Sequence, residues 1–344
     1  MLGSLLAYSG IVTKSKAMSS KLINLEDYNK IAQLESPADF ASFLKSQPGY
    51  APLFANIDER SLHRGQIEHI LMNSLYLDYI KLYRFADGKQ RGALKFIFFR
   101  HEVTILKTCM QLAFSHINSI DLTAFTTFFS QHSQLNVNEL VVSTTMEEFI
   151  AKLKDTEYYS LFVHIQNNNP SIYDYESQLD IYYFKRVWEM KDTVLKGAER
   201  KAITHTIGCQ IDLLNIMWIY RSKKFYDIDL SKIYATVIPV HYKLKNEQLT
   251  KLVEAATIND FMAILSTTYY GRNMKEPTEG SIENAYRVTM NKIYKQNEKL
   301  HPASIAPIYS FFHLKEQEID RLTTALECIR YSLEPKEVLN YVLQ

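Results

Sequence analysis

A chain of 344 residues with 47% hydrophobic and 22% charged side chains can bury a large core, and its length allows two or three domains. Its 39 basic and 38 acidic side chains leave a formal charge of +1, so no global field favours nucleic acid or an anionic membrane. Partners must then be recognised by local surfaces.

With only 10 glycines and 9 prolines, and apolar residues recurring at three and four spacing, the chain reads as all-α. The first stretch, MLGSLLAYSGIVTKSK, has an apolar run but neither a basic start nor a small-residue cleavage site, so it is not expected to be a signal peptide. Next comes SPADFASFL at 36 to 44, where Ser36, Asp39 and Phe40 form a hydroxyl, an acid three residues on, and an aromatic. The hydroxyl at the N-cap and the acid at the third helical position satisfy free amide donors, and the acid suits the helix dipole. Phe and the Leu four residues later share one face, so the stretch opens an amphipathic helix.

A breaker-rich connection, QPGYAP at 47 to 52, leads to a helix carrying Glu68 in QIEHIL, then to LYLDYIKLY, whose tyrosines read as packing with a wet tip or as contact surface. Glu102 follows in EVTIL. The cap pattern then returns in TMEEFIAKL, with Thr145, Glu148 and Phe149, and again in TINDFMAIL, with Thr257, Asp260 and Phe261. Behind each lies a connection, NNNPSIYD at 167 to 174 and GRNMKEPTEGS at 271 to 281, and a helix with a glutamate, Glu176 and Glu283. Asp212 in DLLNI and Glu318 in EIDRL repeat the position of Glu102.

The intervals make these marks a repeat. The cap residues are 109 and 112 residues apart, the first glutamates 108 and 107, and the second acids 110 and 106. A tyrosine follows each cap-helix Phe by nine or ten positions: Tyr50, Tyr158 or Tyr159, and Tyr270. One unit holds a Glu helix, an acid-bearing apolar helix and, further on, a capped helix. Some of the six acids are expected to pair with basic residues inside their own domain and so orient contact helices. The most hydrophobic stretch, ITHTIGCQIDLLNIMWIY, carries Asp212 at its middle, so no segment is expected to span a membrane.

Chemistry is poorly represented. A di-iron bundle needs Glu-x-x-His on two helices, and the single instance, Glu298 to His301, runs directly into Pro302. Phosphate-cradling, nucleophile-elbow and zincin motifs are missing, and the histidines form no paired ligand spacing. Cys109, Cys209 and Cys328 are widely spaced, which fits a reducing compartment and neither a disulfide framework nor a zinc site. No catalytic, cofactor-binding or metal-ligating residues are expected, and a scaffold is favoured over an enzyme.

The final stretch, HPASIAPIYSFFHLKEQEIDRLTTALECIRYSL, resembles the C-terminal signature of the V-type ATPase subunit called C in archaea and bacteria and d in eukaryotes, with Lys315, Glu316, Glu318 and Leu322 matching. The opening KLINLEDYNKIAQLESPADFASFLKSQPGY, and the middle segments IDLLNIMWIYRSKKF and IPVHYKLKNEQLTKLVEAATINDF, are similar to the same family. Three residues after the repeat acid the family pattern leads one to expect Asn; Asn215 fits, while Ile105 and Arg321 stand at the other two places. The resemblance implies three similar helical domains around a pseudo-threefold axis as a funnel, divided approximately as 1–120, 121–230 and 231–344, with interleaving allowed. It also implies a non-catalytic rotor subunit on the cytoplasmic face of the membrane, without cofactors. Its partners would be the central-stalk axle subunits of D and F type and the membrane ring of proteolipid subunits, with membrane contact only through that ring. An unrelated α-helical scaffold or adaptor is the alternative.

Overall fold

The computed structural model describes residues 2–115, 123–166, 170–225, 229–273 and 282–343. Among these residues the regular structure is helical throughout, with no strand. The expected connections at 167–169 and 274–281 lie outside the described residues.

The chain opens with α1 (Leu2–Ser19), α2 (Leu25–Ile31), α3 (Pro37–Ser46), α4 (Ala51–Phe54), α5 (Arg64–Phe85) and α6 (Gly88–Ser115). There follow α7 (Thr123–His132), α8 (Val137–Val141), α9 (Met146–Lys152), α10 (Tyr159–Gln166), α11 (Ile172–Val194) and α12 (Gly197–Phe225). The remainder is α13 (Leu230–Thr236), α14 (Asn246–Glu254), α15 (Ile258–Thr267), α16 (Tyr269–Asn273), α17 (Ile282–Leu300), α18 (Ala306–Arg330) and α19 (Pro335–Leu343). Long helices thus alternate with clusters of short ones.

Two compact units emerge. The first joins residues 1–91 to 302–344, so both ends of the chain share one core. Here α18 packs against α1, α3, α5 and α19, and α2 lies on α19. The N-terminal apolar run belongs to this core: Tyr8 and Ile11 of α1 are buried. The second unit spans residues 92–301, where α12 packs against α11, α14, α15 and α17.

Local chemistry explains where helices start. Ser36, Thr145 and Thr257 sit in extended backbone and accept from the amides of Asp39, Glu148 and Asp260 at 3.1, 3.2 and 3.1 Å. Asp260 returns a bond to the Thr257 amide, whereas Glu148 reaches one residue further back, to the Thr144 amide. The anchors Phe40, Phe149 and Phe261 and their partners Leu44, Leu153 and Leu265 are fully buried. Burying each phenyl ring is worth roughly 1.5–3 kcal/mol before packing is counted.

All three expected connections are partly helical, Ala51 and Pro52 of the first already belonging to α4. Ser171 caps α11 with Asp174 as its third residue, so residues 172–174 already belong to the helix. Residues 271–273 close α16, where Gly271 is required because a Cβ would lie 2.0 Å from the Leu265 carbonyl oxygen. The tyrosines of LYLDYIKLY divide, Tyr76 and Tyr79 being buried and Tyr83 half-buried.

Candidate functional site

Each capped helix is followed within a short distance by a buried tyrosine, and each tyrosine hydroxyl meets an acid from a long helix. Tyr50 donates to Glu318 of α18 at 2.7 Å, Tyr158 to Glu102 of α6 at 3.0 Å, and Tyr270 to Asp212 of α12 at 2.8 Å. Of the two tyrosines eligible in the middle repeat, Tyr158 takes this place. The same acid also holds the chain upstream of the capped helix. Its carboxylate therefore fastens both flanks of that helix to a long one.

Donor sets differ among the three. Glu318 accepts from the Ile23 amide and from Lys315, whose ammonium lies 3.0 Å from the carboxylate, donates to the Tyr50 hydroxyl at 2.6 Å and sits 3.9 Å from the centre of the Tyr50 ring. Glu318 and Lys315 are both buried. Burial, and then the Glu318 charge, hold the Tyr50 phenol well above its ordinary range.

Glu102 receives Tyr158 and the Ser133 hydroxyl, and the Ser133 oxygen in turn accepts from the Leu135 amide at 3.0 Å. Burial pushes the Glu102 carboxyl above its ordinary value of 4.5, against the pull of the two hydroxyls.

Asp212, with no exposed surface, accepts from the amides of Tyr242, Lys243 and Leu244 at 3.2, 2.6 and 2.9 Å besides Tyr270. Burial raises its carboxyl and these donors lower it. One turn on, Asn215 exchanges two hydrogen bonds with the backbone of Ile238, at 3.0 and 2.9 Å. The segment from 238 to 244 is thereby clamped to α12. Gly208 permits the approach, since a Cβ there would stand 2.5 Å from Cγ of Tyr242. At the corresponding +3 places, Ile105 is buried apolar core and the Arg321 guanidinium lies 5.9 Å from the Tyr28 ring centre.

Glu68, Glu176 and Glu283 do not enter these clusters. Each meets a side chain near the surface: Glu68 with Arg64 at 2.7 Å, Glu176 with Gln111 at 2.6 Å, and Glu283 with Arg221 at 4.0 Å. These contacts have an order of their own. Glu327, Gln111 and Arg221 each lie nine residues beyond a clamp acid, and Arg64 links Glu68 to Glu327 at 2.7 Å. Hence α18 meets α5, α6 meets α11 and α12 meets α17 through equivalent positions.

Pairing of the six acids with basic residues is thus seen for Glu318, Glu68 and, at the distance limit, Glu283. Glu102, Asp212 and Glu176 take hydroxyl or amide donors. Sequence reasoning missed Ser133 and the amides of 242–244 because a donor from a loop leaves no spacing signature. Lys315 had one available: three residues before Glu318 on a helix, it shares that acid's face.

Between α11 and α12 lies a crevice of about 530 Å³ lined by Tyr173, Glu176, Asp180, Trp218 and Arg221. Its acids already have partners, Asp180 being held by Lys107 at 2.6 Å. Among the described residues no group of three or more His, Cys, Asp or Glu side chains is placed to hold a metal, and no helix is long and apolar enough to cross a membrane.

Relatives share this chain at length. It is 22% identical over 343 residues to the C subunit of the A-type ATP synthase of Thermococcus kodakarensis, covering 97% of this chain and 90% of that protein. It is 24% identical over 324 residues to the C subunit of the A-type ATP synthase of Methanosarcina acetivorans, covering 92% and 87%. The corresponding protein of Methanosarcina barkeri is 22% identical over 321 residues, with 92% and 87% covered. Residues 11–341 match the family model described as ATP synthase (C/AC39) subunit, and the chain belongs to that family.

Proposed function

We propose that this chain is the non-catalytic C-type subunit (d in eukaryotes) of a rotary V-type or A-type ATPase. It serves as a socket that links the central axle to the membrane rotor ring and transmits torque during ion transport. The observation that carries this reading is the family match over residues 11–341. That match also displaces the alternative of an unrelated scaffold.

The repeated geometry supports the mechanical role. Three clamps of one design, with three helix pairings at equivalent positions, suit three similar domains around a pseudo-threefold axis forming a funnel. Near-equivalent units meet a ring of identical subunits with quasi-equivalent contacts. A torque-bearing part needs rigid helices and no reactive group, and the three buried acids are committed to structural donors. Its partners in this reading are the D-type and F-type axle subunits and the proteolipid ring, at the cytoplasmic face of the membrane.

The test is a pull-down of the purified chain with the axle pair and the detergent-solubilised ring. Retention of both partners, with no ATP hydrolysis by the chain alone, is the expected result. Retention of neither would overturn the socket reading.

A further inference from the structure

We propose that residues 23–54 form a strap, docked on α18 and held shut by Lys315, that opens as one piece while the rest of the fold stays closed.

Chain connectivity sets this clamp apart. Glu102 and Tyr158 are 56 residues apart and Asp212 and Tyr270 are 58 apart, so in those clamps the acid helix leads into the capped helix along continuous chain. Tyr50 and Glu318 are 268 residues apart. Here the acid helix comes from the end of the chain and the capped helix from its beginning. No short covalent segment ties the two, so non-covalent contacts alone keep them together.

Side-chain chemistry differs at the same point. Three residues before the acid, the other two clamps carry Phe99 and Cys209, whereas this one carries Lys315. A buried ammonium that bonds both the acid and the tyrosine adds attraction where the tether is missing. Removing it leaves the Glu318 carboxylate buried with the Tyr50 hydroxyl and the Ile23 amide as donors and its ion pair with Lys315 lost, which is far costlier than losing an exposed pair.

The strap has the anatomy of a separable element. It holds α2, α3 and α4, with Tyr28, Phe40, Leu44, Tyr50 and Phe54 all buried. Ser20 and Lys21 on one side, and Ala55, Asn56, Asp58 and Arg60 on the other, are exposed. Lifting the strap uncovers the face of α18 that carries Lys315 and Glu318 and parts α2 from α19, whereas the Glu102 and Asp212 clamps belong to the other unit.

Hydrogen exchange on the isolated full-length chain tests this without any partner, so its outcome is independent of the socket reading. Lys315→Met should accelerate exchange of amides in α2, α3 and α4 at least tenfold, with α11, α12 and α17 unchanged. Tyr158→Phe should leave the strap unaffected. If Lys315→Met does not fold, Tyr50→Phe replaces it, with the same segment expected to be released selectively. Equal acceleration in the strap and in α12, or none in the strap, would overturn the proposal.

Discussion

Removing one hydroxyl from each clamp should cost unequally, because the acids differ in what remains to them. Tyr158→Phe leaves Glu102 with Ser133 as its remaining donor. A hydrogen bond to a charged group contributes about 1.5–3 kcal/mol, and an under-satisfied buried carboxylate places this loss toward the upper end. Tyr270→Phe leaves Asp212 with three backbone amides, so the loss should be about 1 kcal/mol. Tyr50→Phe falls between: Glu318 keeps Lys315 and the Ile23 amide, while Lys315 loses an acceptor. Protonation supplies a second axis. The folded Glu102 carboxyl is raised, so the protonated acid is favoured in the folded state, and its contribution is full below 4.5 and is lost as pH rises through the folded value. The Tyr158→Phe penalty should therefore grow as pH rises across that window. Exchange of amides in α9 and α10, tenfold per roughly 1.4 kcal/mol, reads the cost locally. Equal penalties at the three tyrosines, or a Tyr158→Phe penalty that does not change with pH, would refute the donor-count reasoning.

Further expectations concern packing and titration. Gly208→Ala pushes a methyl group into Tyr242 and should lift the 242–244 segment from Asp212, costing about 1–3 kcal/mol, seen as faster exchange of the Leu244 amide. Phe149→Ala should cost about 3–5 kcal/mol against about 0.5–2 kcal/mol for Thr145→Ala, both read from urea midpoints, because one empties core and the other removes an exposed cap bond. Burial depresses the His101 imidazole from 6.5 to about 3, so its neutral form is favoured in the fold. Stability should be full above 6.5 and fall as pH drops toward about 3. His101→Gln should flatten that acid limb of the unfolding midpoint against pH.

Residue order alone specified the three capped helices and their starts, but not the start of α11, where Ser171 and Asp174 form a cap inside an expected connection. Ser36, Thr145 and Thr257 act on amides three residues away, and the Phe and Leu of each capped helix share a face by helical geometry, so both are written within one turn or two. The repeat intervals also brought the tyrosines and the acids into one pattern, though not into one bond. Which tyrosine meets which acid was decided by packing. Glu318 is matched with Tyr50 across nearly the whole chain because both ends enter the same core, and local periodicity carries no information over that separation. Packing likewise chose Tyr158 over Tyr159, drew Ser133 to Glu102 and laid the 242–244 backbone across Asp212. Caps and amphipathic faces arise from neighbours in sequence, so sequence determines them; the partners of a buried charge depend on which distant segments exclude water together, and only the tertiary structure decides that.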